Sequence, residues 1–67
     1  MAITLRAARV NRGLTQAKAA ELIGIKELTL RNYEKGISYP TAKTIIKMLK
    51  VYDVSFDDLY FGAVENS

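Results

Sequence analysis

The chain has 67 residues, 49% of them hydrophobic, and contains neither cysteine nor histidine. This composition predicts one small globular domain and excludes disulfides, thiolate metal sites and histidine catalysis. Residues 1–36 carry seven basic side chains against three acidic ones, a net charge of +4, whereas residues 37–67 carry three against four, a net charge of −1. The first half therefore suits a polyanionic partner, although a solvated, mildly basic surface explains the charge equally well.

Location is predicted from what the chain lacks. A domain this small without disulfides favours a reducing, cytoplasmic environment. No apolar run approaches the roughly 20 residues that cross a bilayer, and residues 1–6 lack the basic-then-apolar order of a signal peptide. Met1 at the start and polar residues at the end favour a complete chain over a fragment of a longer regulator.

Glycine and proline separate the predicted helices. Helix 1 is predicted over about residues 3–12, where Leu5, Ala8 and Arg9 share one face and Gly13 ends the helix. Helix 2 follows Thr15, a good N-cap, and ends at a tight turn. Its buried stripe and turn consist of Ala19, Ala20, Ile23 and Gly24.

Helix 3 is predicted over about residues 26–35, with Leu30, Tyr33 and Glu34 facing inward. Lys26 stands where a small polar cap is common, so this helix is expected to begin with a weak cap. Two short helices joined by a glycine turn have the layout of a helix-turn-helix, whose second helix can enter the DNA major groove.

The last part of the chain predicts two more helices and a tail. Helix 4 runs from Pro40 or Thr41 to about Tyr52, with an apolar stripe along one side. Helix 5 begins at Ser55, because Asp58 follows at the spacing of a capping box. No segment alternates as a strand does. We therefore predict an all-α, five-helix domain over residues 1–62 and a flexible tail over residues 63–67.

The chain contains several short motifs in a characteristic order: Leu5 to Arg9, Gly13-Leu14-Thr15-Gln16, Ala20, Ile23-Gly24-Ile25, Tyr33-Glu34-Lys35-Gly36, Pro40 and Val54-Ser55-Phe56-Asp57-Asp58-Leu59. No single motif is specific, but their order and spacing over about residues 3–61 resemble the phage repressor and Cro-type (lambda repressor-like) helix-turn-helix family. The resemblance implies a compact five-helix domain that binds operator DNA, often as a two-fold dimer. It also implies a structural ion pair between Arg9 and Glu34, in keeping with the rule that buried charges are paired.

The outward face of predicted helix 3 offers candidate contacts to bases. With Leu30 inward, the helical wheel turns Leu28 and Asn32 outward, and Glu27 flanks them. Leucine can pack on a thymine methyl, asparagine can pair with adenine, and glutamate can accept from cytosine. Glu27 can instead orient Lys26 or Arg31, and Leu28 can be an ordinary surface residue or a dimer contact. The resemblance adds Gln16, which in similar proteins bonds a phosphate and braces a recognition-helix side chain.

Two further sets of residues are predicted to contact partners. The expected contacts to the DNA backbone are Lys26, Arg31, Lys35, Ser38 and Lys43. A possible dimer surface consists of Phe56, Tyr60, Phe61 and Val64. For Phe56 and Phe61 the alternative is that they cover the core of their own domain.

The predicted function is that of a sequence-specific DNA-binding transcriptional regulator, a small repressor of phage or mobile-element type acting as a homodimer on double-stranded DNA. The alternative is a protein-interaction module on the same fold, such as an antitoxin or anti-regulator. An enzyme is excluded because no nucleophile–base pair and no phosphate-binding glycine loop is present. No catalytic residue, metal, cofactor, small-molecule ligand or membrane partner is predicted.

Overall fold

The computed structural model describes residues 2–62. In that range the chain forms four α-helices, one 3-10 turn and two very short strands. In chain order the elements are β1 (Ile3–Thr4), α1 (Leu5–Asn11), α2 (Gln16–Ile23), α3 (Glu27–Glu34), α4 (Ala42–Tyr52), the 3-10 turn (Phe56–Asp58) and β2 (Leu59–Tyr60). The mainly helical fold and the α2–α3 helix-turn-helix are as predicted. Among the described helices, none has the length and apolar character to cross a membrane.

Threonines begin three of the four helices. Thr4, Thr15 and Thr41 each accept a hydrogen bond from the backbone N–H three residues later, at 3.0, 3.1 and 3.3 Å. These bonds satisfy backbone donors that a helix leaves unpaired at its start. Lys26 at the start of α3 makes no such bond within residues 2–62, so the expected weak cap is confirmed. Gly24 ends α2 in the left-handed conformation, with φ 89°, which a glycine adopts without strain.

The core lies between the four helices and is closed by β2. Ala19, Leu30 and Met48 are fully buried, and Tyr52 ends α4 inside the same cluster. Ala20 is buried, and its small side chain allows the neighbouring helices to pack closely against α2. Among the described residues, the buried core cluster consists of Leu5, Ala8, Ala19, Ala20, Ile23, Leu30, Met48, Tyr52 and Leu59.

The predicted fifth helix is wrong, and so is the prediction that no strand forms. Ser55 and Asp58 do interact, because the Ser55 hydroxyl donates to Asp58 Oδ2 at 2.8 Å, but only one 3-10 turn follows. The chain then becomes extended at Leu59 and pairs in parallel with the first strand, Leu59 opposite Ile3 and Tyr60 opposite Thr4. An isolated short helix is marginal, whereas pairing satisfies backbone groups of both strands. The predicted tail, residues 63–67, lies outside the described residues.

Thr4 has two roles that make this pairing possible. A helix N-cap takes extended backbone angles, and Thr4 has φ −70° and ψ 160°. The residue that caps α1 is therefore already in a conformation that can join a strand. As a result, β1 and α1 follow each other without a connecting loop, and predicted helix 1 begins two residues later than expected.

Candidate nucleic-acid interface

Helix α3 is fixed on its inner side and exposed on its outer side. Leu30, in its middle, is fully buried in the core. Glu34, at its end, has a side chain that is only 4% exposed. Leu28, on the opposite side, is 60% exposed. The helix is thus anchored at two points and presents a continuous face to solvent.

A buried polar cluster joins α3 to the two helices that precede it. Arg9 Nε donates to Glu34 Oε2 at 2.7 Å, and Arg9 Nη2 donates to Glu34 Oε1 at 3.2 Å. Arg9 Nη1 donates to the carbonyl oxygen of Leu14 at 2.8 Å. Gln16 Nε2 donates to Glu34 Oε1 at 3.1 Å. The two-point contact between guanidinium and carboxylate is the strong form of a buried ion pair, and it contains the two residues expected to pair.

Gln16 therefore braces α3 through the carboxylate of Glu34, in the last turn of that helix. Its amide nitrogen is turned toward Glu34, and the side chain is only partly exposed. This position at the first residue of α2 is compatible with a helix N-terminus approaching a phosphate. A base contact by Gln16 stays a prediction.

Tyr52 lies close to this cluster, and sequence reasoning assigned it only to the apolar stripe. Tyr52 is only 1% exposed, and its hydroxyl has no hydrogen-bond partner within residues 2–62. Burial raises the pKa of Tyr52 to about 12; the Glu34 carboxylate adds to the rise and Arg9 opposes it. The helical spacing of apolar positions in α4 does not distinguish a buried phenol from a buried hydrocarbon side chain.

The outward face of α3 carries an ion pair of its own. Arg31 Nη2 lies 3.5 Å from Glu27 Oε2, and the two side chains are 44% and 48% exposed. Leu28 projects beside them, and Asn32 is partly exposed one turn further on. The structure thus places the predicted base-contacting residues of α3 on one accessible surface, with Glu27 already paired to a basic neighbour.

The other predicted backbone contacts surround this face or follow it along the chain. Lys26, Lys35 and Lys43 are exposed, and Ser38 is partly exposed. Within residues 2–62 none of these three lysines forms a salt bridge. Their ammonium groups are consequently available to an anion. No group of acidic side chains in the described range is suited to hold a metal ion.

The connection between α3 and α4 exposes two large apolar side chains that sequence reasoning missed. Ile37 is 69% exposed and Tyr39 is 71% exposed, more than any other large hydrophobic residue in the described range. The available signal was the placement of two apolar residues in a segment between a glycine and a proline. Such residues beside a charged helix face favour a macromolecular contact at this loop.

The predicted dimer residues form an aromatic corner near β2. The rings of Phe56 and Phe61 have centroids 5.7 Å apart and planes inclined by 32°. Phe61 packs against the core, whereas Phe56 and Tyr60 are 56% and 50% exposed. Phe61 thus covers its own domain and supports Phe56, which faces solvent. Val64 lies outside the described residues.

Two curated proteins are similar in sequence to this chain. Over 55 residues the chain is 40% identical to the HTH-type transcriptional regulator ImmR of Bacillus subtilis, covering 82% of this chain and 43% of that protein. Over 62 residues it is 38% identical to the cryptic phage CTXphi transcriptional repressor RstR of Vibrio cholerae, covering 92% of this chain and 56% of that protein. The chain therefore spans about half the length of these curated relatives.

No solved structure matches the chain at a significant level. A helix-turn-helix family model matches residues 5–59, which is most of the chain and runs from the start of α1 to the first residue of β2. The chain therefore belongs to the helix-turn-helix family.

Proposed function

We propose that this chain is a sequence-specific DNA-binding transcriptional regulator, a small repressor of phage or mobile-element type. It acts in the cytoplasm by placing α3 in the major groove of an operator half-site. The single observation that carries the proposal is the anchoring of α3, with Leu30 and Glu34 held inside while Glu27, Leu28 and Asn32 face out. The names of the two relatives, a regulator and a repressor, support the same assignment.

Base recognition is assigned to the outward residues of α3. Leu28 packs on a thymine methyl group, and Asn32 pairs with the N6 and N7 atoms of adenine. Glu27 lies at the first position of the helix, the end that reaches base edges. Gln16, the first residue of α2, is the fourth proposed contact to a base, and its amide nitrogen also donates to the Glu34 carboxylate.

Contacts to the DNA backbone are assigned to the exposed basic residues around α3. Lys26 and Lys35 lie at its two ends, and Lys43 lies in the first turn of α4. Ser38 contributes a hydroxyl from the intervening loop. The first turns of α2 and α4 contain no acidic residue, so phosphates meet no negative charge there. These contacts set affinity and orientation without specifying sequence.

A homodimer on DNA is part of the proposal, since a single domain of this size contacts only one half-site. Phe56 and Tyr60 supply the exposed apolar area for the subunit contact, and the ring of Phe61 packs against that of Phe56. In sedimentation on a two-site DNA duplex, the wild type is expected to bind as two copies. A Phe56→Asp variant is expected to bind each half-site singly, and Ile46→Asp, an equally exposed apolar residue on α4, serves as the control.

The decisive experiment is selection of bound sequences from a random DNA pool at two salt concentrations. We expect an enriched two-fold symmetric sequence whose affinity falls with salt, with a log–log slope of about −0.9 per neutralised phosphate. Lys35→Ala is expected to reduce the slope by about 1 per bound subunit without changing the enriched sequence. Lys50→Ala, at the far end of α4, is the control for loss of one exposed lysine.

The alternative function is a protein-interaction module, and one observation favours it: Ile37 and Tyr39 are strongly exposed in the loop that follows α3. Aromatic side chains are enriched in the cores of protein–protein interfaces, which suits Tyr39 at this exposure. Absence of DNA binding at low salt would contradict the regulator and favour an antitoxin or anti-regulator. In that case Ile37→Asp is expected to abolish capture of the partner protein.

A further inference from the structure

We infer that Arg31 reads a guanine in the operator and that Glu27 is the residue that positions it. This inference rests on the proposed function and deepens it, because it names one base of the recognised half-site. It also changes the role of Arg31, which the sequence places among the contacts to phosphate. The geometry of α3 carries the change.

The first observation is the direction in which the Arg31 side chain extends. Its Nη2 atom lies 3.5 Å from Oε2 of Glu27, the first residue of the helix. The guanidinium is thus drawn one turn back toward the N-terminus of α3. In helix-turn-helix proteins that end of the recognition helix approaches the base edges. An arginine held there lies over the groove floor instead of the phosphates on its rim.

The second observation explains why Arg31 pairs with Glu27. Glu34 follows Arg31 by three residues, a spacing that also permits a salt bridge along a helix. However, Glu34 is buried, with one oxygen bound by Arg9 and the other shared by Arg9 and Gln16. The cluster that anchors α3 therefore leaves Glu27 as the carboxylate on this helix that is accessible to Arg31. The buried network sets the direction of an exposed side chain.

The chemistry of a guanidinium suits this arrangement. It has five N–H donors in a fixed plane, and the recorded contact with Glu27 is a single one, from Nη2 at 3.5 Å. Enough donors are left for a two-point bond to O6 and N7 of guanine, the commonest specific contact in the major groove. The Glu27 charge is at the same time neutralised, which lowers its repulsion of phosphate. Lys26 and Lys35 lack such a partner within residues 2–62 and retain the character of phosphate contacts.

A pair of this kind contributes little to folding, because exposed pairs one helical turn apart are weak. Its loss should therefore change recognition while leaving the fold intact. The chain contains a matched control in the exposed pair Lys18 and Glu21 on α2, whose charged atoms are 2.9 Å apart. Glu21→Gln removes the same charge as Glu27→Gln at a position outside the proposed recognition face.

The test is selection of bound DNA with the wild type, Arg31→Lys, Glu27→Gln and Glu21→Gln. We expect the wild type to enrich a G·C pair at one position of each half-site. Arg31→Lys is expected to lose about tenfold of that preference while keeping its salt slope, because charge is retained and the two-point bond is lost. Glu27→Gln is expected to lose preference at the same position and to bind unrelated DNA more tightly. Glu21→Gln is expected to select the wild-type sequence.

A second measurement tests the bond itself. Replacing that guanine by 7-deazaguanine removes the N7 acceptor while base pairing is retained. We expect wild-type affinity to fall about tenfold and the affinity of Arg31→Ala, which has no side-chain donor to lose, to be unchanged. An equal loss for both proteins would overturn the inference.

The outcomes separate this inference from the function on which it rests. If the wild type enriches a sequence and all three variants enrich the same one, DNA recognition stands and the role of Arg31 is wrong. If Arg31→Ala lowers the salt slope by about 1 per bound subunit but changes no base preference, Arg31 is a phosphate contact. If the wild type enriches no sequence, the proposed function fails first and the inference fails with it.

Discussion

The α2–α3 region, residues 15–34, and the C-terminal region, residues 53–62, are held in place by different kinds of interaction. In the first, Thr15 caps a helix, Gly24 makes the turn and Leu30 fills the core. Each of these residues acts on structure within a few residues of its own position. In the second, a single 3-10 turn leads to a strand whose partner is Ile3–Thr4, at the other end of the described chain. Short-range signals predict the first region well, whereas the second depends on pairing between distant segments.

The two regions are also expected to differ in local stability. The α2–α3 region contains a fully buried leucine and the hydrogen-bonded cluster around Glu34. The C-terminal region is attached through Leu59, which is 8% exposed, and through two paired residues. Segments with few buried contacts open at lower free energy than the core. The four predictions that follow test this difference, from the largest expected effect to the smallest.

Breaking the buried ion pair should cost the most. Arg9→Ala is expected to lower the free energy of unfolding by about 4 kcal/mol, because Glu34 would stay buried without its charged partner. Urea unfolding at neutral pH measures the loss. Arg6→Ala, which removes an exposed arginine from the same helix, is expected to change stability by less than about 0.5 kcal/mol. Equal stability of the two variants would contradict an anchoring role for the cluster.

The attachment of the C-terminal region should have an intermediate effect. Leu59→Ala is expected to cost about 2 kcal/mol, the lower part of the range for such substitutions, because the residue is slightly exposed. The matched variant Leu30→Ala, at a fully buried site, is expected to cost more. Hydrogen exchange should show faster exchange of the Tyr60 amide in Leu59→Ala and little local change in α3. A greater loss from Leu59→Ala would reverse the comparison.

Loss of a cap should have a smaller effect in the α2–α3 region and almost none in the C-terminal one. Thr15→Ala removes a hydroxyl that accepts from the Lys18 amide and is expected to cost about 1 kcal/mol. Ser55→Ala removes a hydroxyl that caps no backbone group within residues 2–62, and this variant is expected to lose only a few tenths of a kcal/mol of stability. Thermal unfolding of both variants tests the difference. Equal losses would mean that Ser55 stabilises the 3-10 turn as a cap does.

Tyr52, at the end of α4 between the two regions, should give the smallest effect near neutral pH. Tyr52→Phe removes a buried hydroxyl that has no partner within residues 2–62, so stability is expected to be unchanged or slightly higher. The pKa of Tyr52 is raised from 10.0 to about 12, so the folded state favours the protonated phenol. The associated stability is fully present below pH 10 and is lost as the pH rises toward 12.

The measurement for Tyr52 is the free energy of unfolding between pH 9 and pH 12. The wild type is expected to lose stability more steeply over this range than Tyr52→Phe. Tyr39→Phe, at a residue that is 71% exposed, is the control and should follow the wild-type curve. Parallel curves for the wild type and Tyr52→Phe would show that the phenol titrates equally in the folded and unfolded states.

Much of the candidate site could be predicted from residue type and spacing. Leu28 and Asn32 face outward because Leu30 is the apolar residue that the helical period directs into the core. The pairing of Arg9 with Glu34 came from the resemblance to a known family, since no local pattern joins residues 25 positions apart. The exposure of Ile37 was not predictable, because it depends on what neighbouring elements leave accessible. The pairing of Glu27 with Arg31 was one of the alternatives that the sequence left open.

Residue type and spacing are enough to predict α1 to α4, the turn at Gly24 and the weak start of α3, because capping, helical period and left-handed glycine act over a few residues. The conformation at the end of the described chain depends instead on contacts between distant segments. Leu59 and Tyr60 are extended because Ile3 and Thr4 lie beside them, and a two-residue strand has too few positions to show an alternating pattern. The burial of the Tyr52 hydroxyl beside Glu34 and Arg9 is likewise a result of packing. The folded structure also selects Arg31, and not Lys26, as the salt-bridge partner of Glu27.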